Sequence, residues 1–247
     1  MSAKNQLLVD QSYWDASYSG MRPAIAPPDD ALRQWLEAHV PKAQGVQHAL
    51  EVGCYPGRYL AVLGRSGYTI HGVDLTPGVE HMADALKATG LSTGDFRRTD
   101  FLKMEVHRTY ELVCSFGFIE HFTDWRSVLL KHAELVAPGG MLVIETPNFK
   151  GGVQQLFHRW LDRTNLARHN LDAMDPHQWA ALLRAQGFTV QWCGWFGRFD
   201  FWSDPEPDSL GHRIGAKLLG MLKPRLARMK EGSPSLSPYC GLIATKA

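Results

Sequence analysis

The chain has 247 residues, 45% of them hydrophobic and 21% charged, with 26 Lys+Arg against 25 Asp+Glu. That length supports one large domain with a full core and excludes a need for disulfide or metal staples, while the composition excludes a largely disordered chain. A net charge of +1 lacks the basic excess of a dedicated nucleic-acid binder, and no apolar run approaches the roughly 20 residues of a membrane span.

Met1 to Asp10 contains one lysine and the short patch Leu7-Leu8-Val9, too little for a signal peptide. Cys54, Cys114, Cys193 and Cys240 lie far apart with no metal or redox spacing, and read as reduced thiols of a cytoplasmic protein. The stretch through Gly20 has helical character and carries Tyr13, Trp14 and Tyr18. Pro23, Pro27 and Pro28 then break the chain. Pro28-Asp29-Asp30 opens a helix, because proline and acids suit a first turn. Leu32, Trp35, Leu36 and Val40 recur on its inner face. Residues 1–44 are therefore expected as an N-terminal helical cap and residues 45–247 as the main domain.

From His48 strands and helices alternate. Strands are expected at Ala49–Val52, Tyr68–Val73, Thr93–Arg97, Tyr110–Ser115 and Met141–Glu145. Helices are expected at Arg58–Arg65, Pro77–Ala88 and Trp125–Val136, the last closed by Pro138-Gly139-Gly140. Pro147–Met174 reads as an irregular insertion rich in His and Arg. A helix at His177–Gln186 and a strand at Phe188–Cys193 restore the rhythm. A second insertion spans residues 194–237, and Pro238–Thr245 is a last strand. Seven strands alternating with helices imply an α/β fold with a parallel sheet covered on both faces. Ligands of such sheets sit at the carboxyl ends of the strands, where both insertions leave.

The segment Glu51-Val52-Gly53-Cys54-Tyr55-Pro56-Gly57 turns a strand into a helix through glycines, which lets a ligand approach the backbone closely. Asp74 ends the next strand, 21 residues after Gly53. An acid there can accept both hydroxyls of a ribose. These two features fit an adenosine-type cofactor and leave a nicotinamide-dependent oxidoreductase open. The dinucleotide pattern G-x-G-x-x-G fails, however, because Tyr55 stands at its second glycine.

Further blocks narrow the reading. Asp100-Phe101 follows the third strand, Ser115-Phe116-Gly117-Phe118-Ile119-Glu120-His121-Phe122 closes the fourth, and Leu135 to Gly140 precedes the fifth. In order and spacing these blocks resemble class I S-adenosylmethionine-dependent methyltransferases over roughly residues 45–195, with Tyr55 and Pro56 departing from the usual glycine-rich centre of the first loop. The resemblance implies a Rossmann-like, seven-stranded, mostly parallel sheet with helices on both faces. Its last strand would be antiparallel, and the late insertions would form a substrate cap.

The implied cofactor is S-adenosyl-L-methionine. Gly53, Cys54 and Gly57 would cradle its methionine part, and Glu51 would anchor the loop and the amino group. Asp74 would take the ribose hydroxyls and Leu75 would pack on the adenine. Asp100 would accept from the adenine amino group beside the Phe101 backbone. Ser115 and Phe116 would border the sulfonium. Tyr13 and Tyr18, in Tyr13-Trp14-x-x-x-Tyr18, resemble the cap that closes over the cofactor in relatives.

The acceptor is expected to be a small molecule methylated on oxygen, such as a sugar or natural-product hydroxyl. A nitrogen acceptor and a non-catalytic cofactor-binding protein of the same fold remain as alternatives. A hydroxyl acceptor calls for a base, with His169 the first candidate and His121 and His158 the others. No metal is expected, because the place after the fourth strand lacks clustered oxygen ligands.

The run from Trp192 to Trp202 holds six aromatics in eleven residues. It reads equally as a substrate wall, as packing, or as a dimer contact of a monomer-or-homodimer protein. Arg213, Lys217, Lys223, Arg225, Arg228 and Lys230, interleaved with Ile214, Leu218, Leu219 and Leu222, read as an amphipathic surface helix or as a contact for an anionic substrate or membrane surface.

Overall fold

The computed structural model describes residues 7–204 and 209–247. Two helices come first, α1 (Gln11–Ser17) and α2 (Ala31–His39). The Asp30 side chain accepts from Arg33 N at 2.9 Å and caps α2. Then follow β1 (His48–Val52), α3 (Leu60–Arg65), β2 (Thr69–Asp74), α4 (Met82–Lys87), β3 (Thr93–Arg98), β4 (Tyr110–Phe116), α5 (Trp125–Glu134) and β5 (Val136–Pro147). The later elements are α6 (Gly152–Leu161), α7 (Arg163–Leu166), α8 (Pro176–Ala185), β6 (Phe188–Phe196), α9 (Leu210–Leu226) and β7 (Tyr239–Lys246).

All seven strands join one sheet in the order β3-β2-β1-β4-β5-β7-β6. The first five pair in parallel, and β7 runs antiparallel to both β5 and β6. Successive residues of a strand face opposite sides, so β1 sends Leu50 and Val52 to one core and Ala49 to the other. The first core also holds Trp125, Leu142 and Trp179. The second holds Leu36, Leu60 and Ile70. Burial on both faces explains the near-continuous apolar runs of β1, β4 and β5.

The helix expected at Pro77–Ala88 is a 3₁₀ turn (Pro77–His81) followed by α4, and three further elements differ from the sequence expectation. First, β5 begins at Val136. Its register against β4 shifts between Tyr110↔Val136 and Leu112↔Met141, which puts Pro138-Gly139-Gly140 in a bulge within the strand. Second, the segment expected to be irregular contains α6 and α7. Gly151, before α6, has no side chain to cap it. Val153 N–H and Gln154 N–H donate to Ser235 O instead, at 3.2 and 3.4 Å, and Val153 N–H also reaches Ser235 Oγ at 3.2 Å. That cap comes from 82 residues away, beyond the reach of a local pattern.

Third, β6 continues to Phe196 and takes part of the aromatic run with it. Trp35 stacks on Phe196 at 4.5 Å, with rings 7° apart, and meets Trp192 edge-on at 5.1 Å. Trp195 packs on His177 at 5.2 Å. Phe199 and Phe201 join Phe157, Leu161 and Leu219 in a third cluster. Most of the run is thus packing, and Trp202 alone stays for the site described below.

That third cluster joins the two insertions into one cap. α9 turns Gly215 and Leu219 inward and leaves Ile214, Lys217 and Met221 exposed. No helix among the described residues is long and apolar enough to cross a membrane. Gly215 lets α9 lie close to α6, since a Cβ there would stand 2.6 Å from Leu161 Cδ2 and 2.8 Å from Trp160 Cε2. Gly215→Val should therefore destabilise the protein by about 1–3 kcal/mol, the usual cost of overpacking. Urea unfolding of the variant beside the parent chain measures this.

Candidate functional site

The site begins where β1 stops. Gly53 has φ +71°, and a Cβ there would fall 2.5 Å from Phe118 Cδ2. Only glycine meets both conditions. Gly53 N and Cys54 N donate to Val73 O at 2.9 and 3.3 Å. Asp74, at the end of β2, accepts from Tyr55 N through Oδ2 at 2.9 Å and from Thr76 N through Oδ1 at 2.7 Å. Each carboxylate oxygen has two lone pairs, so Asp74 braces both loops and keeps acceptor capacity for a ligand. Burial pushes its pKa up, and the Thr76 and Tyr55 N–H groups pull it back.

A cavity of about 200 Å³ opens over this turn. Of the residues expected to hold a cofactor, Gly53, Asp74, Leu75, Asp100, Phe101, Phe116 and Tyr18 line it. Asp100 Oδ1 accepts from Leu102 N at 3.0 Å, and its Oδ2 pairs with Lys103 at 3.0 Å. It is therefore both a turn cap and a wall residue. Trp14, Gly117, Phe118 and His121 complete the end near β4.

Five expected residues fall outside this wall. Glu51 is buried behind it with Oε2 unpartnered, and burial first, then Asp74, push its pKa well up. The Cys54 thiol points into the core, 3.9 Å from Met82 Sδ. Gly57 faces Met82 too, since a Cβ there would sit 2.5 Å from Met82 Cε. Cys54 and Gly57 thus serve the packing of the loop, because their side faces α4. Ser115 is fully buried with an unpartnered Oγ. Tyr13 lines a second cavity instead.

The segment before and through α1 forms the roof. Leu8 N donates to His121 O at 2.8 Å, and Leu7 bridges Phe122. Trp14 meets His121 edge-on at 4.9 Å, and Tyr18 meets Tyr55 at 5.6 Å. Such T-shaped contacts add to simple area burial.

The second cavity, about 210 Å³, shares Trp14, Gly117 and His121 with the first. Its other walls include Tyr13, Glu120, Phe149, Arg168, His169 and Trp202. Arg168 lies 4.1 Å from the Tyr13 ring and pairs with Asp204. Tyr13 OH also reaches Asp204, at 3.3 Å. Trp202 stacks on Tyr239 at 5.4 Å and stays 37% exposed, which leaves one face available to a ligand.

Two of the three candidate histidines meet here. The rings of His121 and His169 are 4.6 Å apart. Burial lowers their pKa values, to about 3 and about 4. His158 lies on neither wall. It is 1% exposed, and its Nδ1 is 2.7 Å from Asp162 Oδ2, which also accepts from Asn165 at 2.9 Å. That buried network fixes α6 to α7 and corrects the expectation of a catalytic role.

Sequence reasoning also missed Glu120. It lies in the quoted block after β4, yet nothing local reveals that both its oxygens end up buried and unpartnered. Glu120, His121 and His169 bring one ligand atom each within 4.8 Å of the others. The expectation of no clustered ligands after β4 considered local oxygen donors only. The fold adds a nitrogen from 48 residues downstream.

Residues 27–191 match a family described as a methyltransferase domain. The chain belongs to the S-adenosylmethionine-dependent methyltransferases. The nicotinamide alternative falls, and S-adenosyl-L-methionine is the cofactor. A protein from Bradyrhizobium sp. (strain ORS 278) named Ubiquinone biosynthesis O-methyltransferase is 32% identical over 101 residues, covering 40% of this chain and 39% of that one. A protein of the same name from Leptothrix cholodnii is 28% identical over 120 residues, covering 46% and 49%. The chain thus spans less than half the length of these relatives. A solved structure of a SAM dependent methyltransferase from Archaeoglobus fulgidus superposes with TM-score 0.57 at 17% identity, covering 96% of this chain and 100% of that one, and shares the fold.

With Asp74 as the expected acceptor of the ribose hydroxyls, losing its carboxylate would remove hydrogen bonds to a charged group worth about 1.5–3 kcal/mol. Asp74→Ala should weaken S-adenosylhomocysteine binding about tenfold or more. Calorimetry on the folded variant, checked by a melting curve, gives the number.

Proposed function

We propose that the chain transfers a methyl group from S-adenosyl-L-methionine to a hydroxyl oxygen of a small molecule held in the second cavity. The observation that carries this reading is the meeting of the two cavities at Gly117 and His121. One cavity has the dimensions and acids for an adenosine, and the other has aromatic and polar walls but no role in holding it.

The residues present fit the cofactor. Asp74 would take the ribose hydroxyls on its remaining lone pairs, and Gly53 would admit the methionine part because it has no Cβ to intrude. Leu75 and Phe101 would flank the adenine, with Asp100 accepting from its amino group. The unpartnered Glu51 oxygen would face the cofactor's ammonium through water. When bound, S-adenosyl-L-methionine supplies an activated methyl, whose C–S bond breaks as the acceptor forms its new bond and whose electron pair returns to sulfur. The chain's own work is alignment and exclusion of water. Trp14 and Tyr18 would shield the first cavity, while Tyr13, Trp202 and Phe149 would orient an acceptor ring.

Oxygen as the acceptor atom is supported by the groups facing it. Glu120 and His121 are buried, His169 is half-buried, and both Glu120 oxygens lack a partner, which suits a hydroxyl proton. The names of the two partial relatives agree with oxygen.

His169→Ala should lower kcat roughly 10²–10⁴-fold, the range for losing help with an acceptor's proton, with cofactor affinity unchanged. Trp202→Ala should instead raise the acceptor's KM. Both are read by steady-state kinetics on the acceptor found by screening phenols, sugars and amines for S-adenosylhomocysteine release. A ¹³C-labelled methyl then reports its own attachment by NMR. Attachment to nitrogen in every accepted substrate would contradict the reading.

A further inference from the structure

Glu120 is the group the site does not yet explain. It is 0% exposed, and neither oxygen has a hydrogen-bond partner. Burial pushes its pKa up to about 8. Glu145, also buried, is pushed up by burial first and by Glu120 second. A native fold rarely leaves such a group unmatched without a use for it.

Two imidazoles face it. His121 Nε2 lies 3.9 Å from Glu120 Oε1. This is no ion pair at neutral pH, because burial favours the neutral form of both groups. His121 Nδ1 sits 3.1 Å from Arg168 O, and His169 Nδ1 sits 2.8 Å from Asn165 O. A carbonyl only accepts, so each Nδ1 carries the proton and each Nε2 keeps its lone pair. Hydrogen-bonding the far nitrogen in this way orients imidazoles that bind metals.

The frame is held from both sides. Asn170 N donates to Glu120 O at 2.7 Å, and Asn170 Nδ2 donates to Phe122 O at 3.0 Å, tying the His169 segment to the turn after β4. Gly117 keeps the front open. It lines both cavities, and a Cβ there would stand 3.6 Å from Glu120 Oε1.

We propose that Glu120, His121 and His169 bind a divalent transition ion, with open positions facing the second cavity. Two imidazole nitrogens and one carboxylate oxygen suit zinc, cobalt, iron or manganese better than magnesium or calcium. Bonds of about 2.1 Å set ligand atoms roughly 3–3.5 Å apart. Closing from the present spacing, up to 4.8 Å, is a matter of side-chain rotation. Resting on the methyl-transfer reading above, an acceptor hydroxyl would occupy an open position. The ion would acidify it, its proton would pass to water, and the oxygen would meet the methyl with a full lone pair.

The test titrates Co²⁺, followed by its visible absorption, and Zn²⁺, followed by calorimetry, into chelator-treated protein. One equivalent should bind. Glu120→Gln and His169→Ala should each weaken binding by about 100-fold, at or beyond the upper end of the cost of losing an outer partner of a metal ligand. His107→Ala, which changes a surface histidine at 72% exposure, should leave it unchanged. S-adenosylhomocysteine calorimetry on all three variants separates this question from cofactor binding and from folding. Wild-type protein that binds S-adenosylhomocysteine but no stoichiometric ion would overturn the proposal. So would ion binding that survives intact in both ligand variants.

Discussion

One carboxylate holds the site together. Asp74 accepts from the backbone on both sides of it, from Tyr55 in the loop after β1 and from Thr76 in the loop after β2. Two neighbouring strand ends are thereby fixed relative to each other, and Gly53 is held in a left-handed turn over Phe118. The floor of the first cavity follows from that geometry. A charged acceptor with two strong backbone donors and lone pairs to spare can brace a loop and bind a ligand at once.

The cores on either face of the sheet are largely apolar. Trp35 Nε1 on α2 and His132 Nε2 on α5 are unmatched there, and the other unmatched polar atoms gather at the strand ends. Glu51, Ser115 and Glu120 all carry unpartnered buried oxygens, and all lie in or just after β1 or β4. Departures from polar satisfaction are expected where function outweighs local stability. Their clustering at the carboxyl ends of the two central strands agrees with the ligand position of open α/β sheets. The remainder of the chain supports this arrangement. The aromatic residues of α2 and β6 pack the far side of the sheet, and the two insertions lean on each other through Gly215.

Much of this was legible in the residues. Strand–helix alternation located all seven strands, because burial on both faces leaves unbroken apolar runs such as Leu112 to Cys114. Gly53 and Asp74 were legible since each answers a local backbone demand. The side on which Cys54 and Gly57 pack was not legible, because motif position does not reveal which way a side faces, and theirs faces Met82. The helix α6 was hidden because its cap comes from Ser235. His158 looked like His169 in sequence. Only tertiary contact separates them, Asp162 beside one and an open cavity beside the other. Glu120 stayed unread for the same reason, since an unpartnered oxygen is a property of the fold.

Two cavities that meet at Gly117 divide the labour, one for the cofactor and one for the acceptor. A crystal structure with S-adenosylhomocysteine reads out that division. Adenosine between Asp74 and Asp100, with the sulfur beside Gly117 and the second cavity free, is the expected result. Density for the ligand against His169 and Trp202, with Asp74 untouched, would contradict it.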